Sequence, residues 1–175
     1  MKKVFLLIAV IGLLVLGVSA QKSDDRPTAM PNLSGTWEQV KPVNPKISSR
    51  TLTITHNGDE IVIQDDLVYE KKNISNRYTL YADDRGEDNK MMFPNGDAPE
   101  KVRSKTKWNK GKLVRNTRMD NFASGFQVIH TERVSYSLSP DGNELTVETL
   151  ATRQFSATNG PPNVSSFKWT YRRKS

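Results

Sequence analysis

From Leu33 onward, β-branched and aromatic residues alternate with polar ones in runs of five to nine, and turn signals separate the runs. Alternate side chains of a strand share one face, so this period of two predicts half-buried β-strands. No stretch holds a helical period over three turns. The segment Thr51 to Gln64 predicts a hairpin on an Asn57-Gly58 turn of type I′, with Ile54 facing Ile61 and Leu52 facing Ile63. A second hairpin spans Val102 to Met119. With Lys110-Gly111 as its loop, Trp108 faces Leu113 and Val102 faces Met119. Ser104, Thr106, Arg115 and Thr117 then share that face, and Arg103, Lys105, Lys107, Lys112 and Arg118 lie on the other. A three-residue loop that includes Asn109 would shift this pairing by one. A third hairpin turns at Ser139-Pro140-Asp141-Gly142 and joins Arg133–Leu138 to Glu144–Leu150. Phe167, Trp169 and Tyr171 alternate with polar residues in a last strand, and Trp37–Val40 and Ile74–Ala82 add two more. The sum is an all-β chain of about eight or nine strands, with 83–100 and 154–165 as long loops. Successive hairpins favour a single antiparallel up-and-down barrel, which leaves no strand edge exposed.

The N-terminus has a different pattern. Lys2 and Lys3 precede an apolar run from Val4 to Val18, which ends in Val18-Ser19-Ala20. This is the make-up of a secretory signal peptide, with cleavage expected after Ala20. The run is too short for a membrane span of about 20 residues. Residues 21–32 are polar, with Pro27 and Pro31, and read as a flexible tether before a domain at 33–173. The expected location is secreted or periplasmic. The chain has no cysteine, so an exported domain must be held by its core alone. Cleavage lowers the formal charge from +7 to +5, because two lysines leave and no acid does. A modest basic excess serves solubility and favours anionic partners, such as a polysaccharide or a charged surface.

Gly35-Thr36-Trp37, at the entry to the first strand, resembles the Gly-x-Trp signature of lipocalins, fatty-acid-binding proteins and avidins. The resemblance implies that Trp37 closes the base of the barrel and that Arg172 or Arg173, from the last strand, packs over its ring. Further motifs are similar to those of secreted lipocalin-like proteins of bacteria. They are Ser104-Lys105 ahead of Trp108, the return Gly111-Lys112-Leu113-Val114, and Ser137-Leu138-Ser139-Pro140-Asp141-Gly142. This resemblance runs from Leu33 to about Gln154 and implies fold more than function. The Arg-x-Tyr pair that binds a carboxylate in fatty-acid-binding proteins does not carry over, since the order here is Tyr171-Arg172-Arg173.

Catalytic markers are missing. There is no cysteine, no Gly-x-Ser-x-Gly elbow and no phosphate loop, so no enzyme is expected. Two scattered histidines, His56 and His130, do not make a metal site, and Asp83–Asn89 lacks EF-hand spacing. No metal or cofactor is expected. Arg115 is the most suggestive residue. On the preferred register it shares a face with Trp108, Leu113, Thr106, Thr117 and Met119. If that face is the interior, Arg115 pairs with an internal acid or awaits an anionic ligand group. The partly polar lining suits a ligand cavity. Asp65 and Glu132 are two carboxylates that could converge. The basic opposite face lacks the interleaved aromatics of a nucleic-acid site, so no specific nucleic acid is expected. Its charge also excludes a membrane-spanning barrel.

The leading expectation is a monomeric exported barrel that binds a small, apolar or amphipathic, partly anionic ligand. The runner-up is an interaction protein with a filled barrel, using its basic face or long loops. Trp37, Trp108, Phe167 and Trp169 are the side chains expected to fill it.

Overall fold

The computed structural model describes residues 30–40, 44–94, 98–123, 126–155 and 160–174. The leader and most of the tether lie outside them, as do parts of both expected long loops. The described chain forms ten antiparallel strands in one sheet. They are β1 (Gly35–Gln39), β2 (Ile47–Asn57), β3 (Glu60–Tyr69), β4 (Lys72–Tyr81), β5 (Glu87–Met91), β6 (Glu100–Asn109), β7 (Lys112–Ala123), β8 (Phe126–Leu138), β9 (Glu144–Phe155) and β10 (Asn163–Arg173). Neighbours in sequence pair except for β4 and β5, the two edges of the sheet, and β1 pairs with both β2 and β10. The result is an up-and-down barrel that is nearly closed.

The strand count exceeds the expected eight or nine because the first long loop carries β5, and the second is shorter than expected because β10 starts early. Within 83–100, β5 pairs with β6 from Glu87↔Ser104 to Met91↔Glu100. Strand β10 already begins at Asn163 and pairs with Arg153. Acidic and amide side chains disguise these runs, although their backbones continue the ladder.

Turn chemistry sets two of the hairpins as expected. Lys110 and Gly111 both have positive φ, 49° and 75°, so they form a two-residue loop of type I′. Trp108 pairs with Leu113, and the register runs to Arg103↔Arg118. In the third hairpin the Gly142 N–H donates to the Ser139 carbonyl at 2.9 Å, with Pro140 at the second position. The first hairpin differs from expectation. Its loop is Gly58-Asp59, Ile54 pairs with Ile63, and Leu52 pairs with Asp65. Only Gly58 has positive φ (60°), the signature of a II′ turn with glycine first. The pairing moves by two residues, so every side chain keeps its face. That is why the alternation alone could not detect the change.

The main core gathers Leu33, Trp37, Leu52, Ile54, Ile61, Ile63, Leu80, Leu113, Tyr136, Leu145 and Tyr171 at one end of the barrel. A smaller cluster of Ile47, Leu67, Tyr69 and Ile74, with Met92 against it, packs separately.

At the closed end, the Trp37 indole is fully buried, and its Nε1–H donates to the Leu33 carbonyl at 3.0 Å. The Arg173 guanidinium lies 4.3 Å above the ring and donates from Nη1 to the Ser34 carbonyl at 2.7 Å. Arg173 therefore fills the role that the sequence left open between two arginines. Arg172 is exposed and approaches Glu144 at 3.7 Å. Gly35, at φ 142°, leaves room for this stack, since a Cβ there would stand 2.5 Å from Arg173 Nη1.

The last seam, between β4 and β5, is closed by side chains. The Asn89 amide accepts from the Thr79 N–H at 2.8 Å and donates to the Thr79 carbonyl at 2.9 Å. Asn76 does the same with Met92, at 2.6 Å and 3.0 Å. Each amide stands in for a backbone peptide unit and satisfies one residue of a sheet edge.

Candidate functional site

The alternation that builds the core also sends polar residues inside. Arg50 is in phase with Leu52 and Ile54 on β2, and Asp65 is in phase with Ile61 and Ile63 on β3. Asn76 is in phase with Tyr78 and Leu80 on β4, and Arg115 with Leu113 on β7. These positions surround a cavity of about 220 Å³ in the barrel interior. Apolar walls come from Leu67, Met91, Met92, Phe93, Val102 and Met119.

Two ion pairs cross this interior. Arg50 clamps Asp65 through both carboxylate oxygens, at 2.9 Å and 2.7 Å. Arg115 donates from Nη2 to Glu132 Oε2 at 3.1 Å. Each pair is a diagonal across neighbouring antiparallel strands, where long side chains reach one another. Asp65 and Glu132 thus share one cavity, each against its own arginine. Burial by itself lowers an arginine pKa, and here the neighbouring Asp65 carboxylate more than reverses this for Arg50. Around Arg115, burial likewise opposes the charge, and the surrounding Tyr136, Tyr78 and Glu132 raise its pKa overall. Both guanidinium groups remain charged. They also lie over aromatic faces, Arg115 5.2 Å from the Tyr78 centroid and Arg50 5.4 Å from the Trp169 centroid. Burial pushes the Tyr78 and Tyr171 phenols well above their usual range, so both are neutral donors.

The hydrogen-bond balance of the cavity wall is uneven. Arg115 Nε–H, Trp169 Nε1–H and Tyr171 O–H are buried and have no partner among the described residues. All three residues line the cavity. Unmade hydrogen bonds at buried groups cost about 1–3 kcal/mol each, so a ligand that satisfies them gains that much.

Of the residues singled out from sequence, Arg115 and Met119 line this cavity. Leu113 is fully buried in the core, with Trp108 packed against it, and the Trp108 indole lies 5.8 Å from the His56 ring. Thr106 faces inward but is engaged elsewhere. It and Ser104 donate to Glu87 Oε1, at 2.6 Å and 2.9 Å. Thr117 is buried in the same row as Glu87 and Ser104, and its hydroxyl has no partner among the described residues. Phe167 is 42% exposed, so it does not fill the barrel; Trp169 is half-buried and lines the cavity instead. His56 Nδ1 accepts from the Leu33 N–H at 3.3 Å.

Sequence reasoning missed Arg50, Glu87 and the three tyrosines, Tyr78, Tyr136 and Tyr171. The signal for Arg50 was present, as a charge in the apolar phase of β2. Glu87 was hidden in an acidic run that reads as a loop. Asp83, in that run, is held by the Arg85 guanidinium, Nε lying 2.7 Å and 2.9 Å from its two oxygens.

The fold and site define a nearly closed antiparallel barrel with a small, charged-and-aromatic internal cavity. No model of a known protein family matches the chain, and no curated protein matches it significantly.

Proposed function

We propose that this is an exported, lipocalin-like binding protein of the bacterial secreted kind, and that its interior holds one small molecule with an apolar body and a hydrogen-bond-accepting head. The three unpartnered donors on the cavity wall carry this reading. Arg115, Trp169 and Tyr171 together offer donors to an acceptor, and a carboxylate is the acceptor that best uses a guanidinium. The methionines and Leu67 supply the apolar side, and methionine adapts to irregular shapes.

Volume narrows the class. A cavity of about 150 Å³ takes benzene. The 220 Å³ here suits a single substituted ring or a short acyl chain rather than a long fatty acid. Arg50 and Asp65 satisfy one another, so the head group belongs near Arg115.

Calorimetry with phenylacetate, and with 2-phenylethanol as the uncharged control, tests it. The acid is expected to bind better by about tenfold, the worth of one charged hydrogen bond. The variant for comparison is Arg115→Met combined with Glu132→Gln, which leaves no carboxylate unpaired. It is expected to fold and to lose the preference for the acid. Absence of binding by either compound, or a preference that survives the double change, would refute the reading.

A further inference from the structure

The outer face of the same strands presents a different surface. Strands β5 to β9 carry a groove of about 900 Å³ on the outside of the barrel. Its cations come from the side chains that alternate with the interior set. Arg103 and Arg118 pair directly across β6 and β7, while Lys105 faces Asn116 and Asn116 faces Arg133. Arg118 therefore has Arg103 opposite it and Lys105 and Arg133 on its diagonals, within about 5–8 Å at Cβ. All four cations are exposed.

Like charges directly opposed on a sheet destabilise it unless neighbouring acids offset them. Asp88 is the outward acid of the groove, and Arg103 (2.9 Å) and Lys101 (3.1 Å) already share it. Glu87 and Glu132 border the groove but turn inward, Glu87 to Ser104 and Thr106, Glu132 to Arg115. Among the described residues, neither Lys105 nor Arg133 has a carboxylate within ion-pair distance. The groove floor offers Thr131 and Thr152 hydroxyls and the half-exposed side chain of Leu150.

We propose that this groove binds a linear polysaccharide that carries regularly spaced carboxylates. Charge complementarity selects an anion, and four cations spread over three strands select a polymer over a single ion. A groove holds a chain, whereas a flat bilayer surface would meet only its rims. Bases of a nucleic acid would need aromatic faces to stack on, and the groove lining has no aromatic residue among those described. Hydroxyls and an aliphatic side chain between the cations suit sugar rings. This external site shares only Glu132 with the lining of the internal cavity, and that carboxylate turns inward to Arg115.

The experiment uses the mature chain and fluorescently labelled oligogalacturonate, with neutral dextran as control, at about 50 and 150 mM NaCl. Binding of the anionic polymer, weakened by salt, is expected, and dextran is expected not to bind. Exposed ion pairs contribute about 1.5- to 5-fold each, so Arg103→Gln, Arg118→Gln and Arg133→Gln together should weaken binding by about tenfold or more. A second triple, Lys168→Gln, Arg172→Gln and Lys174→Gln, removes equal charge from β10 and the adjoining C-terminus. It should change binding less than about twofold. The groove changes lie at exposed side chains, so a cooperative thermal transition close to that of the parent protein separates lost binding from lost fold. The proposal is overturned by no binding at low salt, by equal losses in the two triples, or by tighter binding of single-stranded DNA or anionic vesicles than of the polysaccharide.

Discussion

Replacing Gly35 by alanine probes the closed end of the barrel at its tightest point. Two costs arise. The backbone at φ 142° lies where a residue with a side chain is strained, worth about 1–3 kcal/mol. The new methyl group would stand 2.5 Å from Arg173 Nη1, so the guanidinium must move. Moving it weakens the 2.7 Å bond to the Ser34 carbonyl and the stack on Trp37. Since Arg173 also has a 3.2 Å bond from Nε to the Gly142 carbonyl, the displacement is partial and costs about 1–2 kcal/mol. The expected loss is thus about 2–5 kcal/mol, a large share of a typical domain stability of about 5–15 kcal/mol. Urea unfolding of Gly35→Ala, Arg173→Met and the double variant forms a cycle. With the arginine gone, only the backbone strain remains, so the double variant should be more stable than the two single losses imply, by about 1–2 kcal/mol. Additivity within about 0.5 kcal/mol would refute the claim that Gly35 makes room for Arg173.

Three further outcomes are expected. Asn89→Ala should remove both side-chain bonds across the β4–β5 seam, cost about 1–3 kcal/mol, and raise amide exchange at Thr79; unchanged protection there would mean that the seam is held by other contacts. Tyr78 and Tyr171 stay neutral in the fold while their unfolded counterparts ionise from about pH 10. Their contribution is therefore complete below about pH 10 and drains away above it, by up to about 1.4 kcal/mol per pH unit for each. Urea midpoints at rising pH, followed with tyrosinate absorbance, measure this; ionisation of all five tyrosines in a still-folded chain near pH 10 would contradict it. Sequencing of the protein recovered from outside the cytoplasm should begin at Gln21, and retention of Phe5 to Leu16 would exclude cleavage after Ala20.

Local chemistry in the sequence determined much of this molecule. The period of two assigned faces, and Lys110-Gly111 and Pro140-Asp141-Gly142 placed two turns, because such signals act within a few residues. Gly35 and Trp37 marked the closed end through their resemblance to the Gly-x-Trp signature of lipocalins, and the phase of β7 sent Arg115 inward. Tertiary structure decided what depends on residues far apart in the chain. In the first hairpin, Gly58 could serve as either the first or the second loop residue. Pairing along β2 and β3 chose between them while leaving each face unchanged. Strand β5 exists because β6 offers it a ladder, although its own composition reads as loop. Glu132 as partner of Arg115, Asp65 as partner of Arg50, and Arg173 rather than Arg172 over Trp37 all follow from register between strands. The two asparagine amides at the seam, and the unmatched donors around the cavity, follow from how the sheet curls back on itself. Alternation tells each side chain which way to face, and only closure of the barrel determines what it meets there.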